Sequence, residues 1–167
     1  VCSSDLSDGR RVVFYSGRSG SRDVFEKSTD GAGEERLLLS DAGSPVSSSP
    51  DGRFLLYQRL ATNTGTDLWA LPAAEPRKPF AVVQTPFEDR GGQFSPDSRW
   101  IVYESNESGR FEIYVASFPD LKGKRQVSTE GGTQPRWGRD ARELFYVGPD
   151  ARMMAARVNA AGAALDI

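Results

Sequence analysis

The chain has 167 residues, with 21 Lys and Arg against 23 Asp and Glu and no His. Charge so evenly balanced provides neither a basic stripe for nucleic acid nor a long acidic tail, and no apolar run reaches the length of a membrane-spanning helix. Without an imidazole the chain has no Ser-His-Asp or Cys-His nucleophile, no usual His-containing zinc site and no general base of the commonest kind.

The first six residues, Val1-Cys2-Ser3-Ser4-Asp5-Leu6, hold the single Cys. They match the translation of the end of a common sequencing-library adapter. Residues 1–6 are therefore expected to be a non-native scar that takes no part in the fold. On that reading the chain is a piece of a longer protein, and its Cys says nothing about redox compartment.

From Asp8 onward one pattern recurs: an Asp, then an apolar strand, then an aromatic ring six residues after the Asp. Asp8-Gly9 leads to Val12-Val13-Phe14, and Ser49-Pro50-Asp51-Gly52 leads to Leu55-Leu56-Tyr57. Ser95-Pro96-Asp97-Ser98 leads to Ile101-Val102-Tyr103, and Asp140-Ala141 leads to Leu144-Phe145-Tyr146. The four Asp residues are spaced by 43, 46 and 43 positions. A period of that size marks a repeat protein.

Aligned on the Asp, each copy reads as four strands. Strand A precedes the corner: 44–49, 90–95 and 133–138. At the corner, Pro presets φ, Asp bonds back to backbone N–H groups and Gly accepts a positive φ. Strand B is apolar on both faces: 12–15, 54–57, 100–103 and 143–147. A strand with one wet face would alternate, so these must be covered on both sides. Polar loops at 16–22, 61–66 and 105–110 lead to strand C, which carries a repeated triplet: Asp23-Val24-Phe25, Asp67-Leu68-Trp69 and Glu112-Ile113-Tyr114. Strand D follows at 36–40, 80–85 and 125–129. In the last copy Met153-Met154-Ala155-Ala156 favours helix by propensity, but the repeat register predicts strand C.

Four short antiparallel strands per repeat predict an all-β fold, a β-propeller built of four-stranded blades. The expectation is two full blades flanked by two partial ones, with boundaries near 42, 87 and 131. The first blade would lack strand A, and the last would stop before strand D.

Ser-Pro-Asp-Gly before an apolar strand, followed by Asp-aliphatic-aromatic, resembles the WD-repeat-like blade of TolB-like β-propellers over nearly all of residues 7–160, which implies a partial propeller domain at 7–167. Three stretches are more particular: 78–80 (Lys-Pro-Phe), 85–97 (from Thr85-Pro86-Phe87 to Ser95-Pro96-Asp97) and 126–137 (from Gln126-Val127-Ser128-Thr129 to Pro135-Arg136-Trp137). They resemble the C-terminal propeller of bacterial serine/threonine protein kinases. No kinase motif is present, so the resemblance implies a non-catalytic module for protein–protein interaction or ligand sensing, with any kinase chemistry outside these residues. It implies a protein or peptide partner or a small polar ligand, no cofactor, and a periplasmic or extracytoplasmic setting. Similar blades also belong to gating propellers of prolyl-oligopeptidase-type serine hydrolases and to stand-alone TolB-like periplasmic binding proteins. Ser98 and Ala141 depart from the corner pattern, since each stands where Gly would accept a positive φ.

Other motifs read as structure. Gly31-Ala32-Gly33 lacks the third Gly of a dinucleotide loop. Asp30, Glu34 and Glu35 do not have Ca²⁺-loop spacing. Gly17-Arg18-Ser19-Gly20 looks like part of a nucleophile elbow but has no His to activate Ser19. Trp69, Trp100, Trp137, Phe94 and Tyr114 fall at recurring positions, as inter-blade core residues would. One binding candidate remains. Strand A is innermost in a propeller, so 89–93 and 132–136 would border the central channel. They combine Gly, for close backbone approach, with Arg90, Gln93, Gln134 and Arg136 as hydrogen-bonding tips.

Overall fold

The computed structural model describes residues 3–6, 8–18, 20–62, 65–161 and 164–166. All its regular elements are strands. The first sheet joins β1 (Ser3–Asp5), β2 (Arg11–Ser16), β3 (Asp23–Ser28) and β4 (Arg36–Leu39) in that order. The second joins β5 (Ser44–Ser48), β6 (Phe54–Ala61), β7 (Gly65–Pro72) and β8 (Phe80–Val83). The third runs from β9 (Asp89–Phe94) through β10 (Trp100–Ser105) and β11 (Glu112–Ser117) to β12 (Arg125–Gln126). The fourth holds β13 (Thr133–Trp137), β14 (Glu143–Val147) and β15 (Met153–Arg157), followed by a separate hairpin of β16 (Asn159–Ala161) and β17 (Ala164–Asp166). Each sheet is an antiparallel meander, the form of a propeller blade.

The Asp corner makes the same turn in every blade. In the second, Ser49 N–H donates to the Phe54 carbonyl (2.8 Å) and Gly52 N–H to the Ser49 carbonyl (2.8 Å). Asp51 Oδ1 accepts the Arg53 N–H at 3.1 Å and the Ser49 hydroxyl at 2.6 Å. Ser95 and Asp97 repeat this set. In the fourth blade Asp140 Oδ1 still accepts the Arg142 N–H at 3.1 Å, although Gly138 stands in place of Ser. Partial burial works against ionisation of Asp51 and Asp97, but these donors win and hold both carboxyls below their ordinary value. The residue after the Asp is left-handed in all four copies: Gly9 at φ 63°, Gly52 at 72°, Ser98 at 61° and Ala141 at 58°.

Blades pack face to face, each junction having its own apolar core. Val13 and Val24 of the first blade meet Leu55, Tyr57 and Leu71 of the second. Leu56, Leu68 and Val83 then meet Phe94, Ile101 and Tyr103 of the third. Trp100, Val102 and Ile113 meet Leu144 of the fourth, with Trp137 and Tyr146 packed alongside. At the middle junction Phe118 stands edge-on to both Phe54 and Phe94, each with ring centroids 4.9 Å away. The apolar-both-faces reading of strand B is thus what the structure shows. Phe94, Trp100 and Tyr114 lie in these cores, with Trp69 and Trp137 packed against them.

Three expectations change, and one contested reading holds. The first blade does have a strand A: Ser3, Ser4 and Asp5 pair with Phe14, Val13 and Val12. Main-chain pairing is indifferent to side-chain identity, and β1 ends three residues before its corner Asp, as β5, β9 and β13 do. The 61–66 loop is shorter than expected, because β6 and β7 stay paired out to Ala61 and Gly65. Strand D of the third blade stops at Gln126, since the Ser128 hydroxyl, rather than a backbone carbonyl, accepts the Ile113 N–H (2.8 Å). Met153–Arg157 is strand, as the register requires: tertiary pairing with Glu143–Val147 overrides helix propensity. In this fourth sheet the described residues supply no strand D, and β16 and β17 pair with each other.

The corner geometry yields a stability test. A left-handed residue with a Cβ costs about 1–2 kcal/mol, of which the greater unfolded-state freedom of Gly offsets part. Ala141→Gly is expected to stabilise the chain by about 0.5–1 kcal/mol in urea unfolding. Ser98→Gly should gain less, because the Ser98 hydroxyl accepts the Asp51 N–H at 3.2 Å. A loss of stability in Ala141→Gly would contradict the assignment.

Candidate functional site

Successive A strands lie side by side, β1 against β5, β5 against β9 and β9 against β13, and they carry the four candidate residues. Arg90 is half-buried. Its Nε donates to Glu104 Oε2 at 2.9 Å, and its guanidinium lies 3.8 Å from the Phe111 ring centroid. Gln93 joins two blades, its Oε1 accepting the Trp137 N–H at 2.8 Å. Gln134 sits at φ 54° and donates its N–H to Glu104 Oε1 at 2.7 Å, leaving its side chain exposed. Arg136 is exposed and donates to the Pro135 carbonyl at 2.7 Å. Arg90 and Gln93 are thus built into the junction between the third and fourth blades, whereas Gln134 and Arg136 present their tips outward.

The bonds at this junction belong to a repeated device that motif reading missed. The residue seven after a corner Asp accepts the N–H of the residue six before the next corner. Gln58 Oε1 takes Gly91 N–H at 2.9 Å, just as Glu104 takes Gln134. The residue four before a corner accepts the N–H of the residue three before the next. Ser47 Oγ takes Phe94 N–H at 3.3 Å, just as Gln93 takes Trp137. Acceptors at two fixed offsets from the corner Asp were the signal. At the first junction the pattern breaks in a readable way: Pro45 has no N–H to give, and Tyr15 stands at the acceptor position.

The glycines serve the same junctions. A Cβ on Gly92 would come within 2.6 Å of Leu56 Cδ2, and one on Gly132 within 2.8 Å of Ile113 Cγ1. The close approach inferred from these glycines is an approach of strand A to side chains of the blade before it.

A second polar feature lies between the second and third blades. Asp67 and Asp89 are almost fully buried, at 2% and 0% exposure. Asp67 Oδ2 accepts from Gln84 at 3.3 Å, and Asp89 Oδ2 from Thr85 at 2.7 Å, but Oδ1 of each carboxyl has no partner among the described residues. In the neighbouring blades the equivalent strand-C acid is satisfied by backbone. Asp23 accepts the Asp41 N–H at 3.0 Å, and Glu112 the Gly131 N–H at 2.9 Å. Asp89 itself occupies the position held by Gly43 and Gly132 elsewhere. Burial raises both carboxyls above their ordinary value, and the nearby Asp67 charge raises Asp89 further.

The remaining motifs are structural or undescribed. Asp30 Oδ1 accepts the Ala32 N–H at 2.8 Å within its turn, Glu35 pairs with Arg18, and Ser19 lies outside the described residues. Among the described residues no group of three or more acids and thiols is placed to hold a metal.

No protein-family model matches the chain, and no curated protein does. Solved structures do. TolB from Acinetobacter baumannii aligns over 93% of this chain and 39% of its own, with a TM-score of 0.77 at 13% identity. A chain of a nidogen/laminin complex aligns over 93% of this chain and 59% of its own, with a TM-score of 0.68 at 14% identity. The β-propeller domain of the Trilobed protease from Pyrococcus furiosus aligns over 87% of this chain and 47% of its own, with a TM-score of 0.65 at 13% identity. The chain thus spans about two fifths to three fifths of these structures. The likeness shows a TolB-like β-propeller fold.

The buried acid pair makes stability depend on pH. Both carboxyls release their protons at a higher pH in the folded chain than in the unfolded chain, whose ordinary value is near 3.8. This contribution is full below that value and is lost as pH rises through the raised folded values. Asp89→Asn keeps the shape, removes the charge and adds a donor. It is expected to raise Tm by a few degrees at about pH 8, with a gain that shrinks toward about pH 4. An equal gain at both values would contradict the pair's role.

Proposed function

We propose that this chain is a non-catalytic propeller module for protein–protein interaction or ligand sensing, within the C-terminal region of a bacterial serine/threonine protein kinase. The observation that carries the interaction reading is the pair of exposed tips, Gln134 and Arg136, beside Arg90 and Gln93 on neighbouring inner strands. Arg90 and Gln93 frame the mouth through their bonds to Glu104 and Trp137, and Gln134 and Arg136 contact the partner. A protein or peptide suits a polar, hydrogen-bonding mouth of this kind, and a small polar ligand would use the same donors. The kinase part rests on the resemblance of the 85–97 and 126–137 stretches, which also favours an extracytoplasmic location.

A second reading has support of its own. The similarity to the propeller domain of a protease favours a gating propeller beside a prolyl-oligopeptidase-type hydrolase. The similarity to TolB favours a periplasmic binding protein. The full gene product separates them. The kinase reading expects a kinase catalytic domain N-terminal to these blades, with its Gly-rich loop, His-Arg-Asp and Asp-Phe-Gly. A hydrolase domain beside the blades would replace it with the gating reading. A signal peptide and a small N-terminal domain would replace it with the TolB reading.

A further inference from the structure

Asp67 and Asp89 come together at the junction between the second and third blades, both of them complete four-stranded sheets. The donors that satisfy the strand-C acid elsewhere are diverted here. Counted back from the corner Asp, Asp41 and Gly131, whose N–H groups bond Asp23 and Glu112, correspond to Phe87 and Glu88. Phe87 N–H goes to Thr85 Oγ1 at 3.1 Å, and Glu88 N–H to Asn106 Oδ1 at 2.9 Å. The position that Gly holds in the blades on either side brings in a second carboxyl, that of Asp89. Each carboxyl is left with one oxygen, Oδ1, that is enclosed by protein and has no donor among the described residues. Arg59 does not fill the gap. Its charge acts on Asp67 from a distance while its guanidinium lies over the Trp69 ring, 5.0 Å from the centroid. Two anionic oxygens buried without donors are costly, and one cation relieves both.

We propose that Asp67 and Asp89 hold a Ca²⁺ ion between the second and third blades through their two free oxygens. The groups around them are rich in oxygen. The Thr85 hydroxyl lies 2.7 Å from Asp89 Oδ2, the Ser105 hydroxyl also bonds Asp89, and the Gln84 amide lies 3.3 Å from Asp67 Oδ2. The chain has no imidazole to offer, and hard oxygen donors select Ca²⁺ over the softer transition metals. Two acids neutralise the dication, and neutral oxygens and water complete a shell of about six to eight ligands. The ion does for this junction what backbone N–H groups do at the junctions on either side. It ties strand C of one blade to the start of strand A in the next. The site lies inside the array and does not depend on which partner the channel mouth takes.

The test is thermal melting of the chain in a chelator and in Ca²⁺, with calorimetric titration of CaCl₂ for stoichiometry. Ca²⁺ at about 5 mM is expected to raise Tm by about 3–6 °C, with one ion bound per chain. Mg²⁺, which insists on a small octahedral shell, should give less than half that shift at the same concentration. Asp67→Asn and Asp89→Asn should each weaken Ca²⁺ binding ten-fold or more. In the chelator at about pH 8, Asp89→Asn should melt above the wild type, which shows that it folds; in Ca²⁺ the order should reverse. Asp30→Asn, in the exposed turn of the first blade, should respond to Ca²⁺ as the wild type does. A Tm that Ca²⁺ leaves unmoved would overturn the proposal. So would a Ca²⁺ response that persists in both Asp67→Asn and Asp89→Asn, which would mean adventitious binding at surface acids. An equal shift with Mg²⁺ would overturn the assignment to Ca²⁺. A gene without a kinase domain would remove the kinase reading and leave these melting curves unaffected.

Discussion

A small sheet that is apolar on both faces cannot bury itself. Its neighbours must cover it, and that requirement organises this molecule. Val13, Leu56 and Val102 each point into the junction with the next blade, while Leu55, Ile101 and Leu144 point back into the junction before. Stability therefore belongs to junctions rather than to blades, as in other repeat arrays.

Apolar packing alone lets two sheets slide, because it has little direction. The side-chain acceptors on strands A and B provide the direction. Gln58 and Glu104 grip one N–H of the next strand A, and Ser47 and Gln93 grip another three residues on. Gly92 and Gly132 let the strand come close enough for these bonds to form. The buried Asp67 and Asp89 are the exception in this scheme, since one oxygen of each is left without a protein partner. Three added residues in the second repeat, against its neighbours, accompany that exception.

Much of the architecture was legible in the residues. The corner Asp, the doubly apolar strand B and the strand-C triplet each report a local requirement that one residue type meets best. Trp100 and Phe94 were readable as core because their offsets from the corner recur in register with the apolar strands. The junction bonds were not legible in the same way. Gln, Glu and Ser all serve as acceptors, so the role recurs while the residue changes, and Gln93 reads equally well as a ligand tip. Strand β1 was missed because main-chain pairing leaves no mark in the side chains. The acid pair was missed because its signal is an Asp where two other repeats have Gly, and a misfit in register is visible only once all repeats are aligned in space. At the candidate site the four residues were placed on the right strands, but two of them are held within a junction.

The central claim is that side-chain acceptors on one blade hold the strand A of the next. Amide hydrogen exchange in Gln93→Ala tests it most directly. The account predicts that the Trp137 amide loses its protection while that of Phe94, held by Ser47 at the preceding junction, keeps it. Global stability should fall by about 1–2 kcal/mol, as for a half-buried donor left without its partner. Unchanged protection at Trp137 in that variant would contradict the account.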